Sequence, residues 1–230
     1  MNRFDILSLF PEYFKGPFDV SIIKRARMRG LLEINLVDIR DFAKGGQRQV
    51  DDRPYGGGPG MVLMVEPVVR SIRSVKSERS HVVYLTPQGS PLTALRCAQL
   101  ANKPHLIILC GHYEGVDERI IESEVNEEIS IGDYVLTSGP PAAIVLVDSV
   151  SRFIPEVIGN EEAPRQDSFE NGMFDAPLYT RPSIFEGRRV PPVLLQGNHA
   201  EIEDWRQQQA MEKMKRVRPE LLNGVEERQS

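Results

Sequence analysis

Two charged side chains stand inside an otherwise apolar stretch, and they are the first candidates for chemistry. Asp148 and Arg152 interrupt the segment EISIGDYVLTSGPPAAIVLVDSVSRFIPEVIG at residues 128–159, where Asp148 is expected to be buried. Charges in apolar surroundings need a partner or a function, because an isolated buried charge is costly. The loop of small residues and prolines before them lets the backbone come close to a ligand. We therefore expect a cofactor pocket in this stretch, with Arg152 acting on a substrate beside it.

A second chemical candidate is the segment GGQRQVDDRPYGGGPGM, which contains six glycines and two prolines. Its part VDDRPYGGGPGM offers exposed NH groups, the carboxylates of Asp51 and Asp52, a guanidinium and an aromatic ring. Phosphate or RNA contact is the functional interpretation, with the two carboxylates orienting a base or fixing the loop. A flexible connector is the plain alternative, although connectors seldom combine Asp-Asp-Arg with Tyr and Pro. The loop matches neither a P-loop, since it lacks Gly-Lys-Ser/Thr, nor the GxGxxG pattern.

Hydrophobic periodicity predicts the elements that must position these loops. Strands are expected in RFDILSLFP, in LEINLVDIRDF, and at residues 82–85, 106–110 and 129–131. Helices are expected at residues 13–30, 66–76 and 94–102, after a cap at Asp117, and from near Ala200 to Arg218. Trp205 is expected to anchor the last helix to an apolar surface.

Three successive strands are followed by loops that contain Gly or Pro, at residues 86–89, 111–115 and 131–139. With helices between the strands, this pattern indicates an α/β fold with a parallel sheet, whose ligand lies beyond the carboxyl ends of the strands. We therefore expect the three loops to converge on one site.

Composition limits the classes of protein that remain. The chain has 230 residues with 40% hydrophobic content, enough for one large domain or for one domain plus a small one. No apolar run approaches the roughly 20 residues of a membrane helix, and the N-terminus lacks the apolar core of a signal peptide. Cys97 and Cys110 show no metal-ligand spacing, so two buried thiols in a reducing cytoplasm are expected.

The charges of the chain give conflicting indications about a nucleic-acid partner. The net charge of −5 argues against a nucleic-acid partner, but basic clusters at residues 24–29 and 206–218 reopen the question.

Residues 160–171 turn polar and lose all periodicity, which predicts a flexible linker between a domain at 1–159 and a small helical domain at 172–230.

Taken together and in order, the motifs resemble those of the bacterial tRNA (guanine-N1)-methyltransferases, members of the SPOUT class. The resemblance covers nearly the whole chain, and its residues are VDDRPYGGGPGM, LTPQG, CGHYEGVDERI, ISIGDYVL, DSVSRFIP, DSF, YTRP and VPPVLLQGNHAEIEDWR. It implies a parallel sheet with a deep trefoil knot, a fold that connection rules alone would disfavour. It also implies a cytoplasmic homodimer without membrane association. Its implied reaction moves a methyl group from S-adenosylmethionine to N1 of the guanosine 3′-adjacent to the anticodon of tRNA.

The resemblance assigns roles residue by residue. Asp167 is implied to be the general base that takes the N1 proton, and Arg152 to stabilise negative charge on the O6 side of the guanine. Cofactor contacts are implied at Tyr84, Leu85, Pro87, Gly111, Tyr113, Glu114, Gly115, Ile131, Gly132, Asp133, Tyr134, Val135, Leu136 and Gly139. Substrate contacts are implied at Asp51, Asp52, Arg53, Tyr55, Gly57, Gly58, Ser168 and His199.

In the family arrangement, the linker that carries Asp167 becomes ordered with tRNA and across the dimer interface, so the active site mixes two subunits. Magnesium dependence is associated with the family, although no spacing in this sequence indicates a fixed metal site. On the residues alone, Asp167 could be a solvated acid or a helix cap, Arg152 a partner of Asp148, and His199 a structural hydrogen-bonding residue.

One loop departs from the family pattern. Ser138 stands where the family usually has Gly, Pro140 where it has Glu, and Ala142 where it has Pro. Pro140 removes both a carboxylate and an NH group, so weaker binding of cofactor or tRNA is expected if that Glu matters. Because Asp167 and Arg152 are both present, the departures are interpreted as lineage variation. Two rival functions remain: a non-catalytic RNA-binding relative that lost turnover through the altered loop, and a nucleotide-binding hydrolase that uses GGGPG as its phosphate loop.

Overall fold

A five-stranded parallel sheet forms the centre of the protein, as predicted. The computed structural model describes residues 1–159, 167–169 and 172–222. The strands of this sheet are β1 (Asn2–Ser8), β2 (Leu32–Asp38), β5 (Ser80–Pro91), β6 (His105–Cys110) and β7 (Glu127–Ser130). Their order across the sheet is β2-β1-β6-β5-β7, and each neighbouring pair is parallel. Two short antiparallel pairs accompany it: β3 (Asp51–Asp52) with β4 (Val62–Leu63), and β8 (Ile184–Phe185) with β9 (Arg188–Arg189).

Helices connect the strands and cover the sheet. They are α1 (Ser21–Met28), α2 (Val65–Val75), α3 (Ala94–Ala101), α4 (Glu118–Glu124), α5 (Pro140–Ser151) and α6 (His199–Val217). Short 3-10 helices occur at Pro11–Phe14, Ile39–Phe42, Pro192–Leu195 and Pro219–Leu221. The predicted cap at Asp117 is confirmed, because its side chain accepts from Arg119 N–H at the start of α4.

The core lies on both faces of the sheet. Every residue of β6, the central strand, is buried. One face packs against α1, α3 and α5 through residues such as Ile108 and Leu146, and the other packs against α2 and α4 through residues such as Leu109 and Ile72. A parallel strand that is covered on both faces must be continuously apolar, which is what HLIILC provides.

The predicted helix at residues 13–30 is wrong in its first half. Residues 11–14 form a 3-10 turn, and α1 begins only at Ser21. Gly16 has φ +100° and is followed by Pro17, and this combination ends one helix before the next can start. The predicted stop at Gly30 is confirmed by its left-handed φ of +69°.

Two strand boundaries also differ from the prediction. The second strand ends at Asp38, whose carboxylate accepts from Arg40 N–H and starts a 3-10 turn. The strand predicted at 82–85 extends to Pro91, because β5 pairs with β7 twice: Leu85 and, after an irregularity, Ser90 both lie opposite Ile129.

The chain separates into two compact units, Met1–Asn160 and Glu161–Ser230. The sheet and α1–α5 belong to the first unit, and the hairpin β8–β9 and α6 belong to the second. Of the predicted linker at 160–171, only residues 167–169 are among those described. In the second unit the half-buried Trp205 lies against the ring of Tyr179, with centroids 6.3 Å apart. No helix within the described residues is both long and apolar enough to cross a membrane.

Candidate functional site

A pocket of about 550 Å³ lies beyond the carboxyl ends of β5, β6 and β7. Its walls come from the three loops that the sequence predicts to converge, at residues 86–88, 111–115 and 131–139. Further lining residues come from the strand ends and from α4 and α5: Tyr84, Leu85, Val116, Glu118, Ile121, Ile129, Ser130 and Ala142. Convergence of the loops is therefore confirmed, and it follows from the parallel direction of three adjacent strands.

Close backbone contact between two loops forms one wall of this pocket. The N–H of Gly139 donates to the carbonyl of Gly111 at 2.7 Å. A Cβ added at Gly139 would lie 2.6 Å from Gly111 N and 2.9 Å from Cys110 Cα, so no side chain fits there. Gly115 and Gly132, on the other walls, have φ of +136° and +151°, a conformation that favours glycine. The wall therefore consists of backbone groups that a ligand can approach closely.

The structure gathers thirteen of the fourteen predicted cofactor residues around this single pocket. Asp133 is the exception: its side chain is exposed and does not line the cavity. Sequence reasoning missed other lining residues. Thr86, Gln88 and His112 lie in the predicted loops and could have been included, but Glu118 and Ile121 approach from α4, and nothing in the local sequence signals that approach.

Tyr84 and His112 are buried at the edges of the pocket. Burial raises the pKa of the Tyr84 phenol, and the charge of Glu128 adds to this rise. Burial, followed by the positive charge of Arg40, lowers the pKa of His112 to about 4, so its imidazole is neutral near pH 7.

The neutral imidazole of His112 ties its loop to the end of β1. Its Nε2 lies 3.5 Å from the N–H of Leu9, which donates to it, and 3.4 Å from the hydroxyl of Ser8. The ring of Phe10 packs edge-on against it with centroids 5.4 Å apart. His112 is therefore a buried residue with defined neighbours, although it lies in a loop.

The glycine-rich loop lies beside the pocket without lining it. Asp51 and Asp52 form β3, which pairs with β4, and the loop between them exposes Tyr55 completely. Asp52 accepts from the N–H of Arg53 at 2.7 Å, so this carboxylate fixes the start of the loop. Gly57 and Gly58 are exposed with left-handed φ values of +78° and +119°.

Backbone hydrogen bonds join this loop to the pocket. Glu114 N–H donates to Met61 carbonyl at 3.0 Å, Leu63 N–H donates to Gly115 carbonyl at 3.0 Å, and Asp117 N–H donates to Leu63 carbonyl at 3.1 Å. These three hydrogen bonds therefore join segment 61–63, at the end of the glycine-rich loop, to segment 114–117 of the pocket wall.

The expectation that Asp148 is buried is wrong. The buried face of α5 is formed by Ala143, Leu146, Val147 and Val150, and Asp148 lies on the opposite face, exposed. Helical periodicity places residues at 145, 148 and 152 together on that face. Arg152 caps the carboxyl end of α5, is also exposed, and is not among the residues that line the pocket.

The remaining predicted residues belong to the second unit. Asp167 and Ser168 are partly exposed, and the hydroxyl of Ser168 accepts from the N–H of Asp175 at 2.9 Å. His199 is the exposed first residue of α6, preceded by Asn198, whose side chain accepts from Ala200 N–H. Across the described ranges there is no group of three or more His, Cys, Asp or Glu placed to hold a metal ion.

Pro140 sits where its missing N–H has no cost to the helix. It is the first residue of α5, directly after the N-cap Gly139, and it is buried. The N–H of this helix position has no intrahelical partner, and the fixed φ of proline suits it. The departure from the family pattern therefore removes a carboxylate without weakening α5.

Comparisons with known proteins agree with one another. A family profile described as tRNA (Guanine-1)-methyltransferase TrmD matches residues 2–224. The chain is 61% identical over 218 residues to a tRNA (guanine-N(1)-)-methyltransferase of Protochlamydia amoebophila, covering 95% of this chain and 98% of that protein.

Relatives with the same name in Chlamydia pneumoniae and Chlamydia trachomatis are 58% and 54% identical. The alignments cover 95% and 94% of this chain, which spans only about 60% of the length of those two proteins. With a profile that matches almost every residue and a relative matched nearly end to end, the chain belongs to the tRNA (guanine-1)-methyltransferase family.

Proposed function

We propose that this protein transfers a methyl group from S-adenosylmethionine to N1 of the guanosine 3′-adjacent to the anticodon of tRNA. The observation that carries the proposal is the family match together with one pocket that gathers thirteen of fourteen residues inferred to hold the methyl donor. We further propose that the activity is cytoplasmic, as expected for an enzyme that acts on tRNA.

The pocket suits a nucleoside-containing donor. Its volume of about 550 Å³ falls within the range of roughly 300–1,000 Å³ that ligand pockets occupy. Its wall brings the backbone of Gly111 and Leu136 beside the apolar side chains of Leu85 and Ile131. Backbone amides and carbonyls suit the edge of an adenine, and the apolar side chains suit its faces. When bound, S-adenosylmethionine supplies an electrophilic methyl group on its sulfonium.

The chain supplies the groups that manage proton and charge. N1 of guanine carries a proton at neutral pH, and that proton must leave as N1 acquires a methyl group. We assign Asp167 as the carboxylate that accepts it, a role that general-base catalysis makes worth about 10²–10⁴-fold in rate. We assign Arg152 to stabilise the negative charge that develops toward O6. Arg152 stands at the C-cap of α5 and is exposed to solvent.

The finer architecture is part of the same proposal. We propose that the chain forms a deep trefoil knot, since Gly139 lies against the backbone of Gly111 and Gly89 lies against that of residues 128 and 129. We propose domains at 1–159 and 172–230 with a linker at 160–171, and a homodimer whose active site takes residues from both subunits. The second domain is proposed to bind tRNA together with Asp51, Asp52, Arg53, Tyr55, Gly57, Gly58, Ser168 and His199 of the chain.

A labelled-methyl assay tests the function directly. The full-length protein is incubated with S-adenosylmethionine labelled in its methyl group and with an unmodified tRNA that has G after the anticodon. The expected product is N1-methylguanosine at that position, and a tRNA in which this G is replaced by A is the matched control. Incorporation into neither tRNA, with tRNA binding intact, would instead favour the non-catalytic RNA-binding relative. Repeating the assay with EDTA and added Mg²⁺ tests the magnesium dependence that the family resemblance implies.

A hydrolase that uses GGGPG as a phosphate loop is not favoured. The loop contributes no residue to the pocket, and its glycines are exposed. Calorimetric titration with GTP and with S-adenosylhomocysteine separates the two functions, and we expect binding of the latter alone.

A further inference from the structure

A small hairpin in the second unit projects exposed side chains of two contrasting kinds. The strands β8 and β9 pair through Ile184 with Arg189 and Phe185 with Arg188. Glu186 and Gly187 form the two-residue turn, both with left-handed φ, of +48° and +76°. This is the turn geometry that suits the twist of a tight hairpin. Ile184 is 51% exposed and Phe185 is 63% exposed. Neighbouring large apolar side chains that are exposed together often mark an interaction site.

Each face of this hairpin combines an apolar side chain with a guanidinium. Residues directly opposite each other in an antiparallel pair project to the same face. Phe185 and Arg188 therefore share one face, and Ile184 and Arg189 share the other. An aromatic ring beside a guanidinium is a combination that binds a nucleobase and its phosphate together.

A pocket of about 500 Å³ adjoins the hairpin within the same unit. Its lining residues are Tyr179, Thr180, Arg181, Ser183, Val190, Leu194 and Leu195. The ring of Tyr179 leans on Trp205 of α6 on one side and remains 50% exposed. The bond from Val190 N–H to the carbonyl of Ser183, at 3.0 Å, closes the base of the hairpin onto this pocket. The cavity thus offers a held aromatic ring, two hydroxyls and a cation.

The arginines here lack the carboxylates that neutralise others in the same unit. Arg206 lies 3.9 Å from Glu203, and Arg218 pairs with Glu220. Within the described ranges, no carboxylate lies at ion-pair distance from Arg181, Arg188 or Arg189. Three exposed guanidiniums in nine residues favour a polyanion as the partner. The same patch on a second copy of the chain would repel it.

We propose that the hairpin pocket, defined as residues 179–190 with Leu194 and Leu195, binds unpaired nucleotides of the tRNA. One base lies against Tyr179 in the cavity, a neighbouring base lies against Phe185, and the phosphates contact Arg181, Arg188 and Arg189. This inference rests on the proposed tRNA substrate, and it names the part of the chain that holds single-stranded nucleotides apart from the methylated guanosine.

Stacking is tested with a fluorescent base. Full-length wild-type protein, Tyr179→Leu and Phe185→Ser are titrated with an anticodon stem-loop RNA that carries 2-aminopurine in its loop. Stacking on an aromatic ring quenches this base, and we expect quenching to diminish in each variant. We also expect affinity to fall by about 5- to 150-fold, the range for losing one base–aromatic stack. Tyr179→Leu keeps an apolar side chain against Trp205, so the second unit is expected to retain its packing there.

Phosphate contact is tested by the salt dependence of binding. In Arg188→Gln/Arg189→Gln the plot of log affinity against log salt should become shallower by about 1.4, since each phosphate contact to a single strand contributes about 0.7. The matched control is Arg79→Gln/Lys103→Gln, which removes the same charge from exposed positions before β5 and β6, at the edge of the sheet opposite the pocket, and should leave the slope unchanged. If the salt slope changed by the same amount in both double variants, the effect would be one of overall charge and the proposal would be overturned.

Binding of S-adenosylhomocysteine and the circular dichroism spectrum check that each variant is folded. The Arg188/Arg189 variant changes only exposed side chains and remains informative if Phe185→Ser fails to fold. If wild-type protein methylates tRNA and all hairpin variants bind RNA equally well, this inference fails alone. If wild-type protein neither binds nor methylates tRNA, the proposed function fails and this inference fails with it. A shift in sedimentation of the variants, with RNA binding unchanged, would show a protein interface and contradict the proposal.

Discussion

Gly139 lies directly on the backbone of Gly111, where its N–H donates to the Gly111 carbonyl at 2.7 Å. The two residues belong to loops that follow different strands, β7 and β6, and their contact closes one wall of the pocket. Gly139 has ordinary helical φ and ψ of −73° and −24°, so space rather than backbone conformation requires glycine there. A substitution by alanine at Gly139 therefore tests the steric contact alone, without adding backbone strain.

Gly139→Ala should weaken donor binding. Its Cβ would lie 2.6 Å from Gly111 N and 3.0 Å from Cys110 C, so one of the two loops must move. Overpacking of this kind costs about 1–3 kcal/mol, and we expect the affinity for S-adenosylhomocysteine to fall by about 5- to 150-fold. Calorimetric titration measures this. Gly46→Ala, at a site with nothing within 4 Å and no left-handed φ, is the matched control. Wild-type affinity in Gly139→Ala would contradict the prediction, because it would show that the loops accommodate the added Cβ without a change in donor binding.

Gly60→Ala tests the link between the glycine-rich loop and the pocket. Its Cβ would fall 2.4 Å from Cγ and Oε1 of Glu114, a side chain that lines the pocket. Because these are atoms of a flexible side chain, Glu114 should move rather than the backbone, and we expect a several-fold loss of donor affinity. Gly56→Ala is the control, since Gly56 has nearly the same φ, +85° against +81°, with open space around it. An equal loss in both variants would show that backbone strain is responsible and the contact is not.

Asp167→Asn should abolish methyl transfer while donor affinity stays nearly unchanged. An amide cannot accept the N1 proton, and removal of a general base lowers the rate by about 10²–10⁴-fold. Single-turnover kinetics with saturating tRNA measure the chemical step, and titration with S-adenosylhomocysteine measures the pocket separately. Near-normal turnover in the variant would refute the assignment of Asp167 as the base.

His112 should make the folded state less stable in acid. Its folded-state pKa of about 4 lies below the ordinary value of 6.5, so between these values the unfolded chain binds a proton that the folded chain does not. Stability from this group is therefore complete above pH 6.5 and falls as pH decreases toward 4. The full shift corresponds to at most about 3 kcal/mol.

The comparison variant for this prediction is His112→Gln, whose amide oxygen can accept the N–H of Leu9 but does not titrate. Chemical unfolding of both proteins at several values between pH 7.5 and 4.5 measures the difference. Wild type should lose more stability on acidification than the variant, because the carboxylates contribute equally to both. Parallel curves would mean that His112 contributes nothing to acid sensitivity.

Strand-level features of this protein could be predicted because their signals are local. The run HLIILC reads as a strand covered on both faces, and Gly or Pro after each strand marks the loops that meet at the pocket. The parallel direction of the strands then places those loops at one edge. Thus the loops at 86–89, 111–115 and 131–139 could be assigned to one site from the sequence.

Errors arose where distant contacts or competing local signals decide the outcome. The helix predicted at 13–30 fails at Gly16 and Pro17, whose breaking effect outweighs the periodicity around them. Asp148 was expected to be buried because its neighbours are apolar, yet the helical rotation of α5 places it in solvent. Glu118 reaches the pocket because α4 packs against α2 on the same face of the sheet.

The sequence by itself determined the parallel α/β class, the three loops of the pocket and the family, because alternation, glycine placement and motif order are properties of short segments. Only the tertiary structure decided that Gly139 touches Gly111, that Glu114 meets Gly60, and that His112 is buried against β1. Each of these contacts joins residues that are at least 28 positions apart in the sequence. Their proximity depends on the order β2-β1-β6-β5-β7, which no local pattern of residues encodes.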